Sequence, residues 1–152
     1  MNGRAAGAQM QAIVRGCEQQ VSRLFVSLKH VVVLRPPRSA DAYLRFIPRT
    51  EMDIAVVGAG VSVTLDPAGI CTDARVVLGA VAPTALLVPD AAAALMGRAL
   101  DASVLAGLDQ AARSACKPID DKRGTIEYRT KVAGVIARRA ATIAYERAVE
   151  RR

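Results

Sequence analysis

One stretch, residues 53–81, alternates so regularly that it leaves the rest of the chain little freedom. Ala55, Val57, Ala59, Val61, Val63 and Leu65 fall on every second position, with Gly58, Gly60, Ser62 and Thr64 between them. A period of two puts one set on each face of a strand, so the segment predicts a strand with one buried face. After Asp66-Pro67-Ala68-Gly69 the alternation resumes, with Ile70, Thr72, Ala74, Val76, Leu78 and Ala80 on one face and Cys71, Asp73, Arg75 and Val77 on the other. Proline presets φ early in a turn and glycine accepts positive φ, so these four residues predict a hairpin loop. Val57-Gly58-Ala59-Gly60 also looks like the opening of a dinucleotide-binding fingerprint. That motif needs a third glycine three positions on and a helix behind it. Val63 stands there, and the strand pattern continues. The hairpin reading wins.

A chain of 152 residues is long enough for one domain around one core. With two Phe, three Tyr and no Trp, that core has to be built from small aliphatic side chains. Residues 5–29 predict an amphipathic helix, because Met10, Ile13, Val14, Cys17, Val21, Leu24, Phe25 and Leu28 share one helical face. Its Arg-rich, acid-poor composition also resembles a transit peptide; a secretory signal is excluded by Arg15, Glu18 and Arg23. His30–Leu34 is a short strand candidate, and Pro36-Pro37-Arg38-Ser39 marks a loop. The expected division is therefore a helix over 1–31 and a domain over 32–152. Residues 42–49 read as an extended segment, with Tyr43 and Arg45 on one side and Leu44 and Phe46 on the other. Thr50–Asp53 supplies one turn before the long strand.

Beyond the hairpin, residues 83–89 read as a third, shorter strand flanked by prolines. Asp90 is the expected N-cap of a helix over Ala91–Met96, with Gly97 as its stop. Asp101 caps the next helix, whose face is Val104, Leu105, Leu108, Ala111, Ala112 and Ala115. The last helix starts near Thr125 and runs to about Arg151, with Tyr128, Val132, Val135, Ile136, Ala140 and Ile143 as its stripe. Strands cluster first and helices afterwards, which is the α+β pattern.

The net charge of +7 is uneven. Residues 1–50 hold eight Lys/Arg against two acids, residues 51–121 four against nine, and residues 122–152 nine against three. Basic ends raise nucleic-acid binding as a possibility, but no aromatics interleave and no such motif is present. An acidic partner or a solvated helix face explains them as well. No apolar run is long enough to span a bilayer. Cys17, Cys71 and Cys116 form no CxxC pair and no disulfide framework, so a reduced, cytoplasmic setting is expected. His30 stands alone as a base, the cysteines lack metal-ligand spacing, and Asp120-Asp121 reads as helix capping, with Lys122, Arg123 and Arg129 as nearby partners. Nothing forms a self-contained active site.

Ordered blocks carry a resemblance. They are Pro36-Pro37-Arg38-Ser39, Ala42-Tyr43-x-Arg45-Phe46, Arg49, the hairpin, Leu78-Gly-Ala-Val-Ala-Pro-Thr84, Leu95-Met-Gly97, Pro118-Ile-Asp-Asp-Lys-Arg123 and Glu127-Tyr-Arg129. Together they resemble the C-terminal domain of the FAD-binding (medium) subunit of molybdenum hydroxylases, the family of aerobic carbon monoxide dehydrogenase and xanthine dehydrogenase. The resemblance implies a three-stranded antiparallel sheet packed on three helices, beside the flavin and against molybdenum-binding and iron–sulfur subunits. It places Tyr43 and Arg45 near FAD, with Arg49 as a further candidate. Such subunits hold FAD mainly through two glycine-rich N-terminal subdomains, which have no counterpart in these 152 residues. The expectation is an accessory component of an oxidoreductase complex, not catalytic alone, with FAD weakly held or absent in the isolated chain. A stand-alone interaction domain and a basic nucleic-acid-binding module are the alternatives. The N-terminal helix, outside the resemblance, is expected to associate with a copy of itself or a partner subunit.

Overall fold

The computed structural model describes residues 36–49 and 54–151. The helix expected over 5–29, the strand at His30–Leu34 and the turn at 50–53, with Cys17 and His30, lie outside the described residues. Four strands, β1 (Ser39–Phe46), β2 (Val57–Leu65), β3 (Cys71–Gly79) and β4 (Leu86–Leu87), form one antiparallel sheet in the order β1-β2-β3-β4. The α+β class holds; the three-strand count does not. β4 is a two-residue strand paired with Val77 and Leu78 of β3, kept short by the prolines at 83 and 89, which cannot donate to a ladder.

The hairpin forms as its turn residues dictate. Gly69 has φ +83°, and the Asp66 carboxylate accepts the N–H groups of Ala68 (2.9 Å) and Ile70 (2.8 Å). One detail overturns the simple alternation. Leu65 pairs with Cys71 but Thr64 with Asp73, so Thr72 is a bulge residue. A one-residue slip exchanges faces. Cys71 turns into the core at 1% exposure, while Thr72 stays outside and its hydroxyl donates to Thr64 O at 3.1 Å. Ala80, expected on the buried face, instead ends the strand exposed at φ 61°.

Three helices follow: α1 (Pro89–Leu95), α2 (Ala102–Ala115) and α3 (Ile126–Glu150). Asp101 caps α2 by accepting the Val104 N–H at 2.7 Å, and the Thr125 hydroxyl caps α3 by accepting that of Tyr128. Asp90 is not the cap expected of it. α1 starts two residues earlier than expected, at Pro89, which suits a first helical position because its missing N–H is not needed there. α3 packs across β1 and β2, α1 lies on β3, and α2 packs against both other helices.

The buried stripe of α3 differs from the expected one. Ala133, Ala137, Ala140, Ala141, Ala144 and Ala148 are fully buried, whereas Tyr128 is 45% exposed and Val132, Val135 and Ile143 are only partly covered. Size is the reason. Small side chains let the helix backbone approach a sheet face that is itself lined by Ala40, Ala42 and Ala59, and the larger residues are displaced to the flanks. Of the expected stripe, Ile136 (6% exposed) and Ala140 are buried. At Gly134 the approach to α2 is closest, where an added Cβ would lie 2.5 Å from Asp109 Oδ1. That carboxylate pairs with Arg113 (2.7 Å) and Arg138 (3.3 Å).

Arg129, at 4% exposure, ties α3 to the sheet. Its Nη1 donates to Val56 O at 3.0 Å and Ala80 O at 3.4 Å, and its Nη2 lies 2.5 Å from Asp121 Oδ1. Val56 precedes β2 and Ala80 follows β3, so one guanidinium holds the open end of the hairpin to the start of the helix. Asp120 accepts the Ile126 N–H at α3's first turn. Of the two adjacent carboxylates only Asp120 caps the helix; Asp121 pairs with Arg129 and accepts the Arg123 N–H in the turn before it.

Ile136→Ala leaves a cavity and costs about 2–5 kcal/mol, Ala140→Leu overpacks the helix–sheet contact by about 1–3 kcal/mol, and Arg138→Ala costs about 0.5 kcal/mol or less; equal effects in urea melts would contradict the phase of α3. Arg129→Met, which leaves buried carbonyls without a donor, costs about 2–4 kcal/mol. The Arg129 guanidinium, helped by the Arg123 N–H, holds the Asp121 carboxyl below the usual carboxylate range. A depressed folded-state pKa gives stabilisation that is fully present above the ordinary carboxylate pKa and is lost as pH falls through the depressed one. Asp121→Asn therefore flattens part of the acid limb of a stability–pH curve, and an unchanged limb would contradict the pairing.

Candidate functional site

Because the helices cover one face of the sheet, the other face is left to the alternate residues of each strand. Tyr43 of β1 lies there, 65% exposed. It is not a free-standing ring. A Cβ built on Gly58 would be 2.7 Å from Tyr43 Oη and 3.3 Å from Cε2, and one on Gly60 would be 3.7 Å from Cδ2. The ring therefore runs along the two glycines of the neighbouring strand, and a glycine inside a strand commonly marks such a close approach. The Gly58-x-Gly60 pair that mimics a nucleotide fingerprint is a floor for an aromatic side chain.

The register extends this patch across the sheet. Tyr43 is opposite Gly60, Gly60 opposite Val77, and Val77 opposite Leu87. Val77 is 37% and Leu87 61% exposed, so a flat apolar row crosses all four strands. Arg45 sits two residues beyond Tyr43 on β1, opposite Gly58. Of the three residues expected near a flavin, Tyr43 and Arg45 come together on this strand, while Arg49 is exposed in the segment that follows, past Pro48. Sequence reasoning missed Val77 and Leu87. The available signal was an apolar side chain in the polar phase of the β3 alternation.

This surface fits the planar ring system of a flavin as a lateral or stacking contact, with a cation beside it. It does not supply a pyrophosphate cradle. The two described glycines with positive φ, Gly69 and Gly97, use their N–H groups within the fold, on Asp66 O (3.1 Å) and Cys71 O (2.8 Å). A phosphate loop needs such donors turned outward.

The other chemistry-bearing groups are structural. Burial raises the pKa of the Cys71 thiol, and burial pushes that of Cys116 up to about 11, so neither is an activated thiolate. Both cysteines are free. Tyr145 is 5% exposed, its hydroxyl donates to Arg98 O at 3.3 Å, and burial together with the Cys71 thiol raises its pKa. Among the described residues no cluster of His, Cys, Asp and Glu can hold a metal ion, and no helix is long and apolar enough to cross a membrane.

Comparison with known proteins agrees with this reading of the fold. Residues 42–144 match the CO dehydrogenase flavoprotein C-terminal domain. The carbon monoxide dehydrogenase medium chain of Afipia carboxidovorans is 37% identical over 113 residues, covering 74% of this chain and 39% of that protein. Reconstituted CO dehydrogenase from Oligotropha carboxidovorans superposes with a TM-score of 0.71 at 36% identity, over 75% of this chain and 39% of that one. Quinoline 2-oxidoreductase from Pseudomonas putida 86 gives 0.68 at 28% identity, over 74% of this chain and 39% of that one. This chain thus spans about two-fifths of the length of the relatives it matches. The ordered motifs, the fold and the extent of the match agree: the chain belongs to the CO dehydrogenase flavoprotein C-terminal domain family.

Proposed function

We propose that this chain serves as the flavin-side C-terminal domain of a molybdenum hydroxylase-type oxidoreductase, an accessory domain that packs beside FAD and against molybdenum-binding and iron–sulfur subunits in the cytoplasm. The observation that carries the proposal is the exposed Tyr43 ring laid on Gly58 and Gly60 with Arg45 beside it, inside the family-matched region. FAD, held by other parts of such a subunit, supplies the electron-accepting chemistry. The residues of this chain then orient and shield it. Tyr43 offers a flat apolar surface to the ring system, Arg45 a cation that favours a reduced, anionic flavin, and Arg49 a further positive charge nearby. In the same proposal residues 32–152 form the family domain, and residues 1–31 provide association with another chain.

The chain purified alone is expected to carry no stoichiometric flavin absorbance after gel filtration. Mixed with the FAD-loaded N-terminal portion of a CO dehydrogenase medium chain, it should quench flavin fluorescence through the Tyr43 ring. Tyr43→Ala should remove that quenching. Gly58→Ala should reduce it by lifting the ring off the strand, with little loss of stability because the displaced ring end is exposed. Quenching that is unaffected by both substitutions contradicts the assignment of this face to the flavin.

A further inference from the structure

Among the described residues β1 is an edge strand, and its outer edge is only half protected. In an antiparallel pair, successive residues alternate between bonding to the neighbour and pointing away from it. Arg38 O and Phe46 O accept N–H groups of Leu65 and Val56, both at 2.9 Å. The even-numbered residues of β1 therefore face β2, and Ser39, Asp41, Tyr43 and Arg45 turn their backbone groups outward. α3 covers the first two: Arg147 Nη1 donates to Asp41 O at 2.9 Å and Arg151 Nη1 to Ser39 O at 3.5 Å. Over Tyr43 and Arg45 no such cover exists among the described residues. Exposed edges of this kind are templates for another strand, and proteins normally block them.

Directly below this open half lies a groove of about 430 Å³ between β1 and the flank of α3. Its apolar lining comes from Leu44, Phe46, Val132, Val135 and Ile136, and its cations are Arg45, Lys131 and Arg139, with no acidic residue among the lining groups. Lys131, Val135 and Arg139 are four residues apart in turn, hence on one line along the helix. A strand laid on β1 would point alternate side chains into such a groove.

We infer that the Tyr43–Phe46 edge and the α3 groove form a docking site for an extended acidic segment of a partner protein, bound by strand addition. Its alternate residues, the ones on the α3 side, enter the groove, an apolar one against Val135 and carboxylates on either side of it toward Lys131 and Arg139. Charge selects this occupant over two others. A second copy of the chain would set the same three cations against themselves. The chain's own residues 1–35 carry five Lys/Arg and one acid, a composition that does not complement the groove's cations. The inference stands on the strand edge and the groove; it shares Arg45 with the flavin reading, but its test reads Lys131 and Arg139, which belong to α3 and have no part in that reading.

The test uses the full chain, isotopically labelled, and two synthetic peptides with threonine at every other position; the residues between the threonines, which share the groove face, run Glu-Val-Glu in one peptide and Lys-Val-Lys in the other. The glutamate peptide should produce saturable shifts of the Tyr43 and Arg45 amides and slow their hydrogen exchange, while the lysine peptide should not. The double variant Lys131→Glu, Arg139→Glu should weaken glutamate-peptide binding at least tenfold and reverse the preference, with the circular dichroism spectrum unchanged. Equal binding of the two peptides, or the absence of shifts at Tyr43 and Arg45, overturns the inference. Concentration-dependent dimerisation that competes with the peptide also overturns it, by making a second copy the occupant.

Discussion

Contact between the alanine face of α3 and the sheet sets the dimensions of everything else. Ala133, Ala137, Ala140, Ala144 and Ala148 are fully buried, and the facing sheet residues include Ala40, Ala42 and Ala59. Such contacts bury little area per residue, so stability depends on close packing of backbone against backbone. This is how a chain with no Trp and two Phe can close a core. The same closeness drives Tyr128, Val132 and Val135 to the flank of the helix, where they overhang β1 and form the groove. Arg129 fixes one end of α3 to the sheet and Arg147 and Arg151 fix the other, all three by donating to main-chain carbonyls.

That use of arginine changes the meaning of the basic C-terminal third. Read as composition, nine Lys/Arg against three acids in residues 122–152 suit an acidic partner and a solvated helix face equally. In the fold, Arg129, Arg147 and Arg151 are engaged with the domain's own carbonyls, and Arg138 pairs with Asp109. Lys131 and Arg139 remain at the groove. A local acidic strand suits this arrangement better than a long phosphate backbone, which would need a continuous basic stripe.

The hairpin was legible in the sequence because its period and its turn residues point the same way, and Asp66 and Gly69 act as their chemistry requires. The helix caps Asp101 and Thr125 were legible for the same reason. The bulge at Thr72 was not, because Cys71 and Thr72 each suit either face of a strand and only the pairing with Thr64 and Leu65 decides between them. The phase of α3 was misjudged by weighting large side chains, when the helix is held close by small ones. Ordered family motifs single out Tyr43 and Arg45 as candidates, but the seat of Tyr43 on Gly58 and Gly60 is a contact between strands that no single segment encodes. Val77 and Leu87 join that face only through the four-strand register.

Among the described residues α3 seals one face of the sheet, while the other face and the Tyr43–Phe46 edge of β1 carry exposed side chains. Three tyrosines report on these regions separately: Tyr43 on the open face (65% exposed), Tyr128 at the groove (45%) and Tyr145 in the core (5%). With 3-fluorotyrosine incorporated, fluorine NMR in the presence of a soluble paramagnetic reagent reads all three at once. The expected result is strong broadening for Tyr43, intermediate broadening for Tyr128 and almost none for Tyr145. A Tyr145 signal broadened as much as that of Tyr43 would contradict the closure of the core by α3.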